Sequence, residues 1–83
     1  MKHSILVYGN SQTCAHCRQL KQWLADNQIE HTYKDLGSDD HAKRIEHKKE
    51  AHALGLKSIP SIFIDDMDVI VGFDEKKLAE ILL

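Results

Sequence analysis

Cysteine and proline are scarce in this chain of 83 residues, and that scarcity excludes several classes of protein. The sequence holds two cysteines, four glycines and one proline. Two cysteines three positions apart cannot cross-link a small secreted fold, and so little proline and glycine excludes collagen-like and low-complexity sequences. The hydrophobic share of 42% is typical of a globular protein. We therefore expect one domain, residues 1–83, with a modest core.

Long hydrophobic runs and an excess of one charge are also missing. The longest early apolar run, Ile5-Leu6-Val7, is far too short for a signal-peptide core or a membrane span. A net charge of −2 lacks the surplus of lysine and arginine that phosphate binding needs. The basic stretch 43–49 contains Glu46 and is typical of a solvated helix face. These features predict a cytoplasmic protein that starts at Met1 without processing and binds neither nucleic acid nor membrane. We expect a monomer, although these features do not determine the oligomeric state.

The alternation of apolar and polar residues predicts seven elements. Strands are expected over residues 4–8, 29–36, 59–64 and 69–71, with a turn at 65–68. Helices are expected from Cys14, with Thr13 as its cap, over residues 38–54, and from Asp74 and Glu75. The order β-α-β-α-β-β-α predicts an α/β sandwich in which helices cover a four-stranded sheet.

Apolar residues at helical spacing predict which helix faces are buried. They are Cys17, Leu20 and Leu24 in the first helix, a thin stripe of Ala42, Ile45, Ala53 and Leu54 in the second, and Leu78, Ile81 and Leu82 in the third.

The segment Cys14-Ala15-His16-Cys17 carries the chemistry of the chain. A thiolate is the nucleophile in thiol–disulfide exchange, and free backbone N–H groups in the first turn of a helix stabilise such a negative charge. Cys17 lies one turn deeper, where it can attack a mixed disulfide formed on Cys14. The pattern therefore predicts that Cys14 attacks and that Cys17 resolves. The alternative is that both thiols are inert packing residues, which suits Cys17 better than Cys14.

His16 lies between the two thiols. A protonated imidazole there adds positive charge beside Cys14, which stabilises the thiolate and makes the pair more oxidising. The alternative is an exposed histidine without influence. We include His16 with Cys14 and Cys17 as the catalytic group.

The sequence resembles the glutaredoxins and the NrdH-type redoxins of the thioredoxin superfamily over nearly its whole length. The likeness lies in the Cys-x-x-Cys segment after a strand, in Ser58-Ile59-Pro60-Ser61, and in Val71-Gly72-Phe73-Asp74-Glu75. It implies a thioredoxin-like three-layer α/β/α sandwich with a mixed sheet, and a cis peptide bond before Pro60. It also implies that Thr13, Ile59, Pro60, Gly72, Phe73 and Asp74 bind the substrate or glutathione, with the backbone of Ile59 pairing with an extended substrate.

The resemblance leaves two electron donors open. Residues 10–13 lack the basic residue that glutaredoxins carry before the first cysteine, and Gly72-Phe73 is similar to the NrdH-type turn, which implies thioredoxin reductase as the donor. Asp74 matches the glutaredoxin position that binds glutathione, although it could equally be a helix cap. The resemblance implies a carrier that reduces protein disulfides, ribonucleotide reductase among them, with no cofactor beyond its own redox-active disulfide and with glutathione as a possible co-substrate.

Two functions of other classes are also open. Cys14 and Cys17 have the spacing of half a zinc site, and a dimer similar to those of glutaredoxins could hold an iron–sulfur cluster between two Cys14 residues. His41, His47 and His52 do not share one helical face well, so we predict no metal site. The other function is a non-catalytic interaction domain, in which replacing Cys14 changes nothing.

Overall fold

The computed structural model describes residues 4–65 and 68–83 and contains the seven elements in the predicted order. The strands are β1 (Ile5–Gly9), β2 (Thr32–Asp35), β3 (Ser61–Ile64) and β4 (Asp68–Val71); the helices are α1 (Ala15–Asp26), α2 (His41–Ala53) and α3 (Glu75–Leu82). The predicted turn at 65–68 extends one residue too far, because Asp68 already belongs to β4. Residues 66 and 67 lie outside the described residues. None of the described helices has the length and hydropathy needed to cross a bilayer.

The four strands form one mixed sheet in the order β2-β1-β3-β4. Strand β1 runs parallel to β2, with Val7 opposite Tyr33, and antiparallel to β3, with Tyr8 opposite Ser61. Strand β4 returns antiparallel beside β3. The sheet with helices over its faces is the thioredoxin-like sandwich that the resemblance implied.

One face of the sheet carries the core. Alternate residues of the strands point to this face, where α1 and α3 pack against them. The buried cluster consists of Ile5, Val7, Leu20, Leu24, Ile62, Ile64, Ile70 and Leu78, with Trp23, Ile29, Tyr33, Phe73, Ile81 and Leu82 packed at its margin. The predicted buried faces of the first and third helices are therefore confirmed.

The opposite face is more thinly covered, by α2. Tyr8 is buried here, and its hydroxyl lies 3.4 Å from Oε2 of Glu50, which also pairs with Lys34 at 2.8 Å. The predicted apolar stripe of α2 is wrong, because Ile45 and Leu54 are 40% and 53% exposed and Ala51 is instead the buried residue of the helix. Helix α2 therefore contacts the sheet through polar groups such as Glu50, where a broad apolar contact was expected.

Hydrogen bonding explains three of the element boundaries that differ from prediction. The second strand starts at Thr32 rather than at Ile29, because the Ile29 amide donates to the Leu24 carbonyl and closes α1. The third strand starts at Ser61, since Pro60 has no N–H for the sheet. The second helix starts after Asp40, whose carboxylate caps it by accepting from the Lys43 amide.

Candidate active site

The sheet topology brings the cysteine segment and the cis-proline segment together at one end of the two central strands. Strand β1 ends at Gly9, beside the start of the antiparallel strand β3 at Ser61. The loop of residues 10–14, here called the active-site loop, therefore follows β1 at the same end of the sheet at which Pro60 precedes β3. The bond between Ile59 and Pro60 is cis, as the resemblance implied, and the Gly72 amide donates to the Pro60 carbonyl at 2.8 Å.

Side chains of the loop itself and of β2 hold the active-site loop. At the β1 end, Oδ1 of Asn10 accepts from the amides of Gln12 and Thr13, at 3.0 and 3.2 Å. Asp35, at the end of β2, accepts from the hydroxyl of Ser11 at 2.5 Å and from its amide at 3.3 Å. These contacts tie the loop to Asn10 at its start and to the end of β2.

Two more groups hold the same loop. The Gly37 amide donates to Asp35 Oδ1 at 2.9 Å, and the guanidinium of Arg18 donates to the carbonyls of Ser11 and Gln12 at 3.0 and 3.3 Å. Burial alone would raise the pKa of the Asp35 carboxyl, but the hydrogen bonds from Ser11 and Gly37 outweigh it and lower that pKa below its ordinary value.

Cys14, rather than Thr13, is the N-cap residue of α1. The backbone of Cys14 is extended, with φ −110° and ψ 109°, and its Sγ accepts from the Cys17 amide at 3.2 Å. The prediction that Thr13 caps the helix is wrong, because the turn built on Asn10 engages the Thr13 amide and delays the helix by one residue. A side-chain atom at the N-cap meets the free amides of the first helical turn, so this position favours a negative charge on the Cys14 sulfur.

Cys17 lies one turn further along, in a different environment. It is fully buried, whereas Cys14 is partly exposed, and the two are free thiols. Burial raises the pKa of the Cys17 thiol to about 11, and the neighbouring Cys14 sulfur adds to the rise. At neutral pH Cys17 is therefore a protonated thiol, held beneath a sulfur that solvent can reach.

Gly9 and Tyr33 complete the surroundings of Cys17, and neither was predicted. A Cβ atom on Gly9 would lie 2.6 Å from Oη of Tyr33 and 3.0 Å from Sγ of Cys17, so only glycine leaves room for both. Strand alternation could have indicated Tyr33, since its partner Val7 faces α1 and parallel neighbours share a face. The pairing of the strands is what the sequence pattern does not disclose.

The remaining predicted site residues fall in four places. Thr13 and His16 are exposed, on the active-site loop and on the first turn of α1. Phe73 packs edge-on against Trp23, with ring centroids 6.5 Å apart, so its ring belongs to the margin of the core. Asp74 caps α3 by accepting from the Lys77 amide at 3.1 Å.

Within residues 4–65 and 68–83, no three His, Cys, Asp or Glu side chains come together as a metal site. In that part of the chain the cysteine pair has no third ligand beside it. The sulfurs are instead arranged as one partly exposed and one buried group on a single helical turn, which suits disulfide exchange.

Comparison with known proteins places the chain among redoxins. The sequence model of the glutaredoxin family matches residues 5–69. The structure is similar to methanoredoxin from Methanosarcina acetivorans, with a TM-score of 0.78, 29% identity, and coverage of 95% of this chain and 83% of that one. It is also similar to the glutaredoxin of Methanosarcina mazei (TM-score 0.71, 29% identity, 93% and 75% covered) and to glutaredoxin 1 of Francisella tularensis (TM-score 0.64, 31% identity, 94% and 93% covered). No curated protein sequence matches the chain.

Proposed function

The chain belongs to the glutaredoxin family, and on this premise we propose that it reduces protein disulfides through the dithiol of Cys14 and Cys17. Family and fold indicate a thiol–disulfide oxidoreductase in general. The observation that supports the dithiol scheme is the pairing of a partly exposed N-cap sulfur with a buried sulfur one turn below it.

The reaction proceeds in two exchanges. The Cys14 thiolate attacks one sulfur of the substrate disulfide, so that an S–S bond forms between Cys14 and the substrate and the other substrate sulfur leaves as a thiolate. Cys17 then loses its proton to solvent and attacks Sγ of Cys14. The bond between Cys14 and the substrate breaks, the second substrate sulfur leaves and takes up a proton, and the protein ends as the Cys14–Cys17 disulfide.

Each sulfur has the environment that its step requires. The Cys17 amide, 3.2 Å from Sγ of Cys14, stabilises a negative charge on that sulfur without a separate base. The buried Cys17 stays protonated until the mixed disulfide has formed, because burial raises the pKa of its thiol to about 11. A protonated second thiol does not compete for the substrate, so the order of attack is fixed. His16, exposed beside Cys14, adds positive charge when it is protonated.

The substrate docks along the edge formed by Ile59, Pro60 and Gly72. The Gly72 amide is taken by the Pro60 carbonyl, whereas Pro60 itself has no N–H to offer. An extended substrate can therefore pair with the backbone of Ile59 and lie across the cysteines as an added strand. Phe73 and Asp74 follow Gly72 in sequence, and Thr13 precedes Cys14; these three residues complete the proposed binding residues.

Thioredoxin reductase is the proposed electron donor, with a cytoplasmic location and ribonucleotide reductase as one acceptor. Two observations favour it over glutathione. The guanidinium of Arg18 is turned to the carbonyls of Ser11 and Gln12, and one carboxylate oxygen of Asp74 is engaged as a helix cap. The Arg18 guanidinium and one oxygen of the Asp74 carboxylate thus already have structural partners.

The test is reduction of the oxidised protein by each donor system. The protein is incubated with thioredoxin reductase, or with glutathione and glutathione reductase, and NADPH oxidation is followed in the presence of a disulfide protein. Turnover with the first system supports the proposal, and turnover only with the second replaces the donor by glutathione. The Cys17→Ser variant should accumulate a mixed disulfide on Cys14 and stop. Turnover with neither donor, together with no mixed disulfide, would contradict the proposed function.

A further inference from the structure

The hydroxyl of Tyr33 is a buried polar group that the two exchanges leave unused. Its Oη atom is shut off from solvent and has no hydrogen-bond partner among residues 4–65 and 68–83. Buried hydroxyl groups in folded proteins are nearly always paired, because an unpaired one costs free energy of folding. The nearby Ser11 hydroxyl, which influences the Tyr33 phenol, already donates to Asp35. A buried hydroxyl without a partner beside a reacting sulfur therefore points to a partner that arises during the reaction.

That partner is within reach across Gly9. A Cβ atom on Gly9 would lie 2.6 Å from Oη of Tyr33 and 3.0 Å from Sγ of Cys17. The two atoms therefore border the same small gap. In the dithiol state the two atoms do not have the geometry of a hydrogen bond. The three atoms nearest to the place that a Cβ on Gly9 would fill all belong to these two side chains.

We propose that Tyr33 is a positioning residue for the second exchange, in which its hydroxyl donates a hydrogen bond to the Cys17 thiolate as that sulfur attacks Cys14. A thiol is a weak acceptor and leaves the hydroxyl unpaired, whereas a thiolate is a strong one. The inference rests on the proposed dithiol function. The proton balance is unchanged, since the Cys17 proton leaves to solvent and Tyr33 keeps its own.

The electrostatics around the pair agree with this assignment. Burial raises the pKa of Tyr33 to about 12, so the phenol stays a proton donor at any pH at which the protein works. Burial also raises the pKa of Cys17, and the Tyr33 hydroxyl opposes part of that rise. The titratable and charged groups that face the pair are Cys14 and Lys21 from α1 and Asp35 from β2, with the Lys21 Nζ lying 4.9 Å from the centre of the Tyr33 ring. All of them are kept when Tyr33 becomes phenylalanine.

The test separates the two exchanges in one experiment. Reduced protein is mixed with one equivalent of dithiobis(nitrobenzoic acid), and the coloured thiolate is followed by stopped flow. The first release reports the attack by Cys14 and the second reports the attack by Cys17 on the mixed disulfide. Tyr33→Phe is compared with wild type from pH 6 to pH 10. Tyr8→Phe is the matched control, because it also removes a buried hydroxyl from a neighbouring strand, but on the α2 side.

The expected result is a selective loss. Without the hydrogen bond the titration midpoint of Cys17 rises by about one unit, which lowers the thiolate fraction about tenfold at neutral pH. The more basic thiolate is about threefold more nucleophilic, so the second release slows by about three- to fourfold. The first release and the Tyr8→Phe protein stay at the wild-type rates. In a Cys14→Ser background, NMR of the Cys17 Cβ shows the raised midpoint directly in Tyr33→Phe.

Equal second-release rates and equal midpoints in wild type and Tyr33→Phe would overturn the proposal. An equal slowing of both releases would also overturn it, because Tyr33 would then act only through packing. A wild type that gives no second release refutes the dithiol function itself, and the role of Tyr33 with it. The failure of the function is thus distinguishable from the failure of this inference alone.

Discussion

Asp35 holds the active-site loop against the sheet, so replacing it should weaken the fold and the site together. Its carboxylate accepts from the hydroxyl and amide of Ser11 and from the amide of Gly37. A hydrogen bond to a charged group is worth about 1.5–3 kcal/mol, but water can replace much of that at a partly buried site. We therefore expect Asp35→Ala to lower the free energy of unfolding by about 2 kcal/mol at pH 7. Asp35→Asn keeps one acceptor oxygen and should lose about half as much.

The loss should depend on pH in a stated direction. The pKa of Asp35 is lowered in the folded protein, so its stabilisation is present above the unfolded value of about 3.9. It disappears as the pH falls through the lower, folded pKa. The difference between wild type and Asp35→Ala should therefore be largest near pH 7 and shrink steadily below pH 4.

Thermal and chemical unfolding measure this difference. A loss of about 2 kcal/mol corresponds to a fall in Tm of about 8–16 °C for a domain of this size. Asp26→Ala is the matched control, because Asp26 lies exposed at the end of α1 and pairs only with the exposed amide of Gln22 among the contacts described. Its change should be within about 0.5 kcal/mol. The reasoning is refuted if Asp35→Ala is as mild as Asp26→Ala, or if its effect is the same at pH 3 as at pH 7.

Three further predictions concern the cysteine pair and its neighbours. Brief alkylation of the reduced protein at neutral pH should modify Cys14 and spare Cys17, because Cys17 is fully buried and burial raises the pKa of its thiol to about 11; comparable labelling in mass spectra would contradict this burial. Gly9→Ala should destabilise the protein by about 1–3 kcal/mol in denaturant titrations, since the new methyl group would lie 2.6 Å from the Tyr33 hydroxyl; an unchanged midpoint would show that the gap is wider than described. His16→Ala should make the reduction potential more negative than that of wild type by about 5–20 mV at pH 6, as expected for losing an exposed charge interaction of about 0.2–1 kcal/mol, and by less at pH 8. If the variant and wild type have the same potential at pH 6 and also at pH 8, His16 has no influence.

The order of elements could be predicted because it follows from local patterns. Hydrophobic spacing marked the strands, and it marked the buried faces of the first and third helices at Leu20, Leu24 and Leu78. Spacing failed for the second helix, where the stripe containing Ile45 and Leu54 is exposed. An apolar spacing shows that a helix can bury a face, but whether the sheet offers a surface to cover it is decided elsewhere in the chain.

The cap of α1 shows a second limit. Thr13 is a good capping residue in isolation. Its amide, however, donates to Oδ1 of Asn10, and Cys14 is the N-cap residue instead. The difference is one residue, and it decides which atom meets the free amides of the helix. Capping preferences are local averages, whereas the loop conformation is set by contacts within the loop and by those to Asp35 on β2.

Local sequence patterns were enough to predict two thiols one helical turn apart, next to a strand, together with an α/β pattern and a proline segment that resemble the glutaredoxins. The groups that surround those thiols depend on how distant segments pair in the fold. Tyr33 is 16 residues beyond Cys17 in the sequence, and it reaches that sulfur because β1 and β2 pair in parallel with Val7 opposite Tyr33. Hydrophobic periodicity reports which residues are buried, but the register between strands decides which buried groups meet.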